Sequence, residues 1–307
     1  MSRSTLSALA LLVCVPLTLA ACTTATETDV ADPGVPRGGE PVAGTEKPGD
    51  AAALVPEKIK DKGEIAFAHD ATYPPFEYFD KDNTTMIGFD VQLADAIAGK
   101  LGVKAKHVNT GFDTILAGLS SGKFDVGMSA FTITPGRAKS VDFVQYFSGG
   151  TAIAVPKGNP KKLSLYDLSL CGHKVSAQKG SDQGLNQMPA IDTKCKAAGK
   201  PGLAISLYPS QNDANLALTS GRVDAIAADT ISLAYQGKLA KGAFELAPGE
   251  PYEPAAAGIA LAKNSPLTPA VAGAVTELSA DGTLQKLGAA WSLPAQVFTA
   301  DDGKVTK

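Results

Sequence analysis

The sequence predicts an α/β fold, in which strands and helices alternate around mostly parallel sheets. Short runs rich in β-branched and aromatic residues alternate with longer segments of helical periodicity. The alternation pauses at residues 156–160, which hold two prolines and a glycine, and then begins again, so the chain carries two such blocks. The ~250 residues that follow the N-terminal segment are enough for two compact domains.

The first block begins with a strand at residues 65–69, which stops before the Pro74-Pro75 turn. A helix is predicted at residues 89–101, because large apolar residues recur there every four positions, as on the buried stripe of a helix. These residues are Phe89, Leu93, Ile97 and Leu101. The other predicted elements of the block are a helix at 112–120 and strands at 103–108, 126–129, 141–143 and 151–155.

The second block repeats the alternation after residue 160. Its predicted strands lie at 174–177, 204–208, 225–228 and 257–262. Its predicted helices lie at 181–188, 212–220 and 231–236, with a helical turn at 165–168 and further helices after Pro266. Open α/β sheets bind ligands at the carboxyl ends of their strands, so these strand ends are the first place to look for a site.

The N-terminal segment has the features of an exported protein. Met1-Ser-Arg3 is short and basic, and the apolar run at 6–19 is too short to span a bilayer, so we predict a signal peptide over residues 1–21. The run ends in Leu19-Ala-Ala-Cys22, which looks like a bacterial lipobox and predicts a lipid on Cys22; the alternative is an ordinary cleavage site with a chance cysteine. Residues 22–54 hold few large apolar residues and predict a lipid-anchored, flexible tether.

Composition argues against two classes of function. The net charge is −3 and aromatic residues make up 6% of the chain, and no basic stripe favours nucleic-acid binding. No second apolar run of ~20 residues predicts a membrane span. The lipid is therefore the membrane contact that the sequence predicts.

A binding residue is suggested by Phe131-Thr-Ile-Thr-Pro-Gly-Arg137. This stretch places the Thr132 hydroxyl five residues before the Arg137 guanidinium, on a turn that enters an apolar region. Arginine stays charged and offers a planar fork of donors that matches a carboxylate. The alternative for Arg137 alone is a surface arginine in a turn.

Together with residues 65–78 and 88–101, this stretch resembles the bacterial solute-binding proteins of ABC importers, family 3, which take up amino acids. The resemblance runs from about residue 57 to about residue 293, with motifs in the family's order. One position departs from the pattern, since Gln92 stands where an acidic residue is usual.

The resemblance implies a two-lobed periplasmic-binding-protein fold of type II, in which each lobe is a mostly parallel sheet flanked by helices. Two crossing strands would form the hinge. The expected division is 55–153 with 256–293 for lobe 1, 154–255 for lobe 2 and 294–307 for a C-terminal tail.

The resemblance also implies how each lobe would hold an α-amino acid. In lobe 1, Arg137 and the Thr132 hydroxyl would bind the ligand carboxylate. In lobe 2, the amides of Gly180, Ser181 and Asp182 would add donors at a helix N-terminus, and Asp229 would bind the ammonium group.

Further residues would complete the pocket by the same resemblance. The side chain of Ser129 and the carbonyl of Ala130 would form its floor, and Tyr73 and Phe112 would sandwich the ligand. For Phe112, plain core packing is an equal alternative. Asp70 would reach the ligand side chain, unless it caps a turn.

Two departures bear on the ligand. Gln178 and Ala228 stand where the family's glutamine binders carry lysine and histidine, which argues against a strict glutamine binder. Asp70 would repel an acidic side chain. We therefore expect a polar neutral or cationic amino acid.

Cys171 and Cys195 remain after the signal and lipid cysteines are set aside, and in an exported protein they predict a disulfide. A zinc site that includes His173 is the alternative, but two cysteines supply too few ligands. We expect no metal and no cofactor.

Three functions compete on these grounds. The favoured one is the substrate-binding component of an ABC importer, a monomer that delivers its ligand to a permease in the cytoplasmic membrane. It would be held by lipid at the outer face of that membrane, or lie in the periplasm. A dehydratase-like enzyme on the same fold would need a positioned acid such as Glu77 or Asp70. A sensor module would need a membrane span or a signalling domain.

Overall fold

The computed structural model describes residues 47–307. The predicted signal peptide, Cys22 and most of the predicted tether lie outside these residues. The last part of the predicted tether is a 3-10 helix, Asp50–Leu54, in which Ala51 is buried and donates its amide to Glu277 Oε1 at 2.7 Å. These residues therefore pack on the molecule.

The first block forms seven strands and four helices. The strands are β1 (Glu64–His69), β2 (Thr72–Tyr73), β3 (Glu77–Phe79), β4 (Met86–Ile87), β5 (Lys104–Asn109), β6 (Val126–Thr132) and β7 (Val141–Pro156). The helices are α1 (Glu57–Lys62), α2 (Phe89–Lys100), α3 (Phe112–Ser120) and α4 (Pro135–Ala138). All four residues of the predicted stripe are buried, three on α2 and Leu101 directly after it, which confirms that interpretation.

The second block continues with six strands and five helices. The strands are β8 (Lys174–Gln178), β9 (Ala204–Tyr208), β10 (Ala225–Asp229), β11 (Phe244–Leu246), β12 (Tyr252–Ala262) and β13 (Val305–Thr306). The helices are α5 (Met188–Ala197), α6 (Gln211–Thr219), α7 (Thr230–Leu239), α8 (Thr268–Ala280) and α9 (Thr283–Ala290), with a π-helical turn at Gln183–Gln187 and a 3-10 turn at Ala295–Val297. No helix of the described part of the chain has the length and apolar character that a membrane crossing requires.

The main sheet has the order β5-β1-β6-β12-β7-β10-β8-β9. Strands β5, β1 and β6 are parallel at one end, as are β10, β8 and β9 at the other. Between them β7 and β12 run antiparallel to each other and to their neighbours. We assign β1–β6 with α1–α4, α8 and α9 to lobe 1, and β8–β11 with α5–α7 to lobe 2; β7 and β12 cross between the two.

The structure departs from the sequence prediction in four elements. The predicted strands 141–143 and 151–155 are one strand, β7. It runs without a break because its first part pairs with β12 and its last part pairs with β10 and β11. Residues 165–168 are not helical. The helix predicted at 181–188 becomes a π-helical turn followed by α5, and the predicted C-terminal tail supplies β13, which pairs with β7.

Each lobe has its own buried core. In lobe 1, α2 packs with α8 and α9 against the sheet around Phe67, Val126 and Trp291. In lobe 2, α5 packs around Val175 and Ile191. The predicted disulfide is confirmed: Cys171 and Cys195 are joined, which ties α5 to the loop before β8.

Two histidines in contact, His69 and His107, lie between the core of lobe 1 and its surface. His69 is fully buried on β1, and its Nε2 lies 3.1 Å from Nδ1 of His107 on β5, whose Nε2 lies 3.1 Å from Asp95 Oδ1. Burial, with a smaller contribution from His107, lowers the pKa of His69 from 6.5 to about 3. His69 is therefore neutral in the folded protein at any pH above that value.

This burial predicts acid sensitivity. Because unfolded His69 takes up a proton below pH 6.5 and folded His69 does not until about pH 3, its contribution to stability is complete above pH 6.5 and is lost as the pH falls between those values. The loss approaches about 1.4 kcal/mol per pH unit. Urea unfolding between pH 4 and 8 should show this dependence of the unfolding free energy on pH in the wild type. In His69→Gln the slope should be smaller by the contribution of one bound proton.

The matched control is His173→Gln, since His173 is half-exposed in lobe 2 beside Asp224. It should keep the loss of stability that His69 causes between pH 6.5 and about pH 3. An unchanged slope in His69→Gln would contradict the assignment of His69 as the responsible group.

Candidate functional site

A cleft lies between the lobes beside the crossing strands. It encloses about 290 Å³ of empty space, part of it open to solvent. Three predicted ligand residues line it: Ala130 and Thr132 from β6, and Asp229 from the end of β10. The remaining lining comes from Phe147, Gly149, Gly150, Thr151, Gln183, Gln187, Glu253, Ala255, Ala256 and Ala257.

Arg137 lies near the cleft, on α4, and points at lobe 2. Its Nη1 donates to the Thr132 carbonyl at 2.7 Å, and its Nη2 donates to the Gly180 carbonyl at 2.8 Å. The guanidinium also faces the Phe112 and Phe131 rings, with Cζ 5.7 and 5.5 Å from their centroids. No carboxylate of the described residues lies within ion-pair distance of it.

Burial lowers the pKa of Arg137 to about 10, and the nearby Asp182 carboxylate opposes that shift. Arg137 therefore remains a cation at neutral pH. Its donors reach backbone carbonyls instead of a counter-ion, which leaves a half-buried positive charge available to an anionic group.

Asp229 supplies the opposite charge from lobe 2. Its Oδ1 caps α7 by accepting from the amides of Ile231 and Ser232, at 2.8 and 3.2 Å. Its Oδ2 has no hydrogen bond from the described residues and faces Gly149, where an added Cβ would lie 2.5 Å from it. Burial raises the pKa of Asp229 to about 6.

Tyr73 joins the two lobes at this point. Its hydroxyl accepts from the Asp229 amide at 3.0 Å, and its ring stacks on Phe76. The phenol is buried, which raises its pKa. Tyr73 thus positions the start of α7.

Asp70, the predicted contact for the ligand side chain, is buried and well supplied with donors. Its Oδ1 accepts from Thr72 at 2.8 Å, and its Oδ2 accepts from the Phe112 amide at 3.0 Å and from Gln178 Nε2 at 2.7 Å. The bond to Gln178 crosses between the lobes. Burial raises the pKa of Asp70, and these three donors act against that shift.

Two more contacts close the cleft near Asp70. Lys179 of lobe 2 pairs with Asp113 of lobe 1 at 2.8 Å, and the Ser232 hydroxyl donates to the Pro74 carbonyl at 2.8 Å. The Phe112 ring is buried and stacks on Phe131 at 4.6 Å, which is the core packing that was its alternative role, and Phe112 is not among the residues that line the cleft.

The Gly180-Ser181-Asp182 turn is largely engaged by its own lobe. The Ser181 amide and hydroxyl both donate to the Gln178 carbonyl, at 3.2 and 2.7 Å, and Asp182 accepts from Asn186. The turn therefore reaches lobe 1 through the Gly180 carbonyl, as an acceptor.

Sequence reasoning missed several cleft residues. Gln183 donates to Thr151 Oγ1 at 2.9 Å, while Gln187 Oε1 is buried without a partner in the described residues. Both follow the predicted Gly180–Asp182 turn, so the helical spacing of the glutamines was a usable signal. No group of three or more potential metal ligands occurs in residues 47–307.

Comparison with known proteins agrees with this architecture. The chain matches the family described as bacterial extracellular solute-binding proteins, family 3, over residues 65–294. It is 29% identical to an arginine-binding protein of Corynebacterium glutamicum over 92% of this chain and 90% of the relative. It is 32% identical to an L-cystine-binding protein of Escherichia coli over 76% of this chain and 84% of the relative.

Solved structures give the same result. An ancestral arginine-binding protein bound to arginine superposes with a TM-score of 0.64 at 37% identity, over 75% of this chain and 98% of that one. An arginine-binding protein mutant from T. maritima superposes with a TM-score of 0.67 at 30% identity, over 80% and 100%. The predicted two-lobed fold and the family resemblance are thus confirmed: the chain belongs to the bacterial extracellular solute-binding proteins, family 3.

Proposed function

We propose that the protein is the substrate-binding component of an ABC importer, which takes an amino acid between its lobes and delivers it to a membrane permease. The observation that carries the proposal is an opposed pair of half-buried charges, Asp229 in the lining of the cleft and Arg137 near it. The Arg137 guanidinium from lobe 1 donates only to carbonyls of the described chain, and Asp229 from lobe 2 has one oxygen without a donor there. These charges complement the carboxylate and ammonium of a zwitterion.

The charge of the lining favours a cationic side chain on the ligand. Asp229 and Glu253 line the cleft, Asp70 is buried and bonded between the lobes to Gln178, and the nearby Arg137 would be paired with the ligand carboxylate. A ligand cation would reach Asp70 by replacing Gln178 as a donor. Arginine is the first candidate, because relatives named for arginine match along nearly the whole folded chain.

We propose binding without catalysis. One structural neighbour, at 33% identity and a TM-score of 0.65, is an ancestral amino-acid-binding protein described as a precursor of cyclohexadienyl dehydratase. A dehydratase needs an acid over its ligand. The two candidate acids here are bound elsewhere, Glu77 by the Ser129 hydroxyl and Asp70 by Phe112 and Gln178.

We further propose that the protein is exported as a monomer and anchored by lipid on Cys22 at the outer face of the cytoplasmic membrane. The support is the run that ends in Leu19-Ala-Ala-Cys22 and the family's extracellular character. The anchor would hold the folded part close to its permease.

The proposed ligand class is tested by thermal shift with the twenty amino acids, ornithine and citrulline. We expect arginine, ornithine or lysine to raise Tm most, since a ligand at a thousand times its Kd stabilises by about 4 kcal/mol. Arg137→Ala should abolish the shift, because it leaves the ligand carboxylate unpaired at a cost of roughly 3–5 kcal/mol.

Arg222→Ala is the matched control, since Arg222 lies on the exposed surface of lobe 2. Its ligand response should equal that of the wild type. Absence of any shift in the wild type, or an equal shift in Arg137→Ala, would refute the proposal.

The role of Asp229 predicts pH-dependent affinity. Its pKa of about 6 means that the carboxyl group is protonated below that pH, and the neutral form does not attract an ammonium. Isothermal titration with arginine should show an affinity that is constant above pH 7 and falls by up to about tenfold per pH unit below pH 6.

Asp229→Asn should bind weakly and lack this pH dependence. Asp224→Asn is the control, because Asp224 pairs with Lys161 and His173 outside the cleft. If Asp229→Asn retained the wild-type pH profile, another group would be responsible and the assignment would be wrong.

The anchor is tested with Cys22→Ser. We expect the wild type to incorporate a fatty-acid analogue and the variant to remain unlabelled, while arginine binding by the folded part is the same in both. Cys171→Ser serves as a control for the loss of a cysteine elsewhere and should stay labelled. Equal labelling of Cys22→Ser would exclude lipidation at this residue.

A further inference from the structure

Two acidic side chains lie directly beneath the cleft and have no part in the proposed ligand contacts. Glu77 on β3 and Asp90 on α2 are both fully buried, and they bond to adjacent residues of β6, Glu77 to the Ser129 hydroxyl and Asp90 to the Ala130 amide. No basic side chain of residues 47–307 donates to either. The other titratable groups that face them are the Asp70 carboxyl and the phenols of Tyr73 and Tyr146.

The backbone brings the two acids together. The Phe89 amide donates to the Pro75 carbonyl and the Asp90 amide to the Phe76 carbonyl, both at 2.9 Å, so the first turn of α2 rests on the turn before β3. Gly88 has a φ of 139°, and a side chain there would overlap the Phe76 carbonyl and lie 2.9 Å from Glu77 Cα. Glycine at this position therefore permits the close approach.

The hydrogen bonds differ between the two acids. Asp90 accepts from the Tyr146 hydroxyl, at 3.1 and 2.9 Å to its two oxygens, and from the Ala130 amide at 3.1 Å. Glu77 accepts only from the Ser129 hydroxyl, at 2.6 Å, and its Oε2 is buried without a partner in the described residues. Donors thus favour charge on Asp90, whereas a bare buried oxygen disfavours charge on Glu77.

Both acids support the cleft floor. Ala130 lines the cleft with a φ of 47°, a left-handed conformation that is unfavourable for alanine. Its amide is held by Asp90 and by the Tyr146 hydroxyl, at 3.2 Å from the latter. Ser129, which donates to Glu77, also accepts from the Asp70 amide at 3.3 Å.

We propose that Glu77 is a neutral carboxylic acid in the folded protein, kept neutral by burial beside the Asp90 carboxylate, and that the two acids hold Ser129 and Ala130 in position for the ligand. Glu77 and Asp90 are positioning residues, which act through Ser129 and Ala130. Burial raises the pKa of Glu77 well above 4.5 and that of Asp90 to about 6, as this arrangement requires. The effect on ligand binding rests on the proposed function; the protonation state does not.

The protonation state is tested by Glu77→Gln, whose amide mimics the neutral acid. Because wild-type Glu77 must take up a proton on folding above pH 4.5, the wild type loses stability as the pH rises from there toward the raised pKa, and the variant does not. The stability of Glu77→Gln relative to the wild type should therefore rise with pH, by up to about tenfold in the unfolding equilibrium constant per unit.

Glu245→Gln, at an exposed position on β11, is the matched control and should show a constant difference. Infrared difference spectra between the wild type and Glu77→Gln at pH 7 should also show the carbonyl stretch of a protonated carboxyl in the wild type. A pH-independent stability difference, or the absence of that band, would overturn the proposal.

The positioning role is tested by titration with L-arginine. Asp90→Asn should lose about tenfold or more in affinity, since its amide would oppose the donors on Ala130 and Tyr146. If Asp90→Asn does not fold, Tyr146→Phe removes one donor of the same group and should weaken binding in the same direction. Wild-type affinity in both variants would refute the role.

The outcomes separate the two proposals. If the wild type binds no amino acid, the proposed function fails, while the pH and infrared measurements still decide whether Glu77 is neutral. If the wild type binds arginine and Glu77→Gln shows neither signature, the proposed function stands and the acid pair does not.

Discussion

The pairing of β7 with β12 is the constraint on which the rest of the molecule depends. β7 spans sixteen residues and contributes to both lobes; β12 pairs with much of its length, and β10, β11 and β13 pair with shorter parts of it. Every parallel strand of either lobe is attached to the sheet through these two strands. Because β7 and β12 satisfy each other's backbone groups from Val141 to Thr151, they form one continuous connection between the lobes. Gly149, which leaves room for the Asp229 carboxylate, lies within this same strand.

The crossing strands also explain why charge is buried at the cleft. Arg137 and Asp229 are brought to it from opposite lobes, and each is partly desolvated, as the lowered pKa of the first and the raised pKa of the second indicate. Isolated buried charges oppose folding. Here that cost is limited by carbonyls around Arg137 and by the α7 amides around Asp229. Arg137 and Asp229 can still attract groups of opposite charge, and the carboxylate and ammonium of a zwitterion would pair with them.

Sequence patterns predicted the elements with clear periodicity and missed those set by tertiary partners. The α2 stripe and the disulfide could be predicted because each depends on residue type and spacing. The sequence predicts two strands where the structure has only β7, because Gly149-Gly150 interrupts the strand pattern. No local pattern shows that neighbouring strands pair with these residues as well. Pro189 made the helix after Gly180 look complete at residue 188, yet proline is tolerated in the first turn of α5, where the missing amide has no intrahelical partner. The Gln178–Asp70 bond joins residues 108 positions apart in different lobes, and no local signal encodes it.

Those interlobe bonds bear on how the lobes would respond to a ligand. Arg137 already donates to Gly180, and Asp70 already accepts from Gln178, so the groups proposed to bind an amino acid also bond across the cleft. Ligand binding would then replace these interlobe bonds by bonds to the ligand. A ligand shifts the equilibrium between two arrangements of the lobes only by the difference in its affinity for them. A neutral side chain would replace the Gln178 amide by a similar donor. A cationic side chain would replace it by a charge-assisted bond to Asp70, which is stronger. The exchange therefore favours a cation more than the number of contacts alone would suggest.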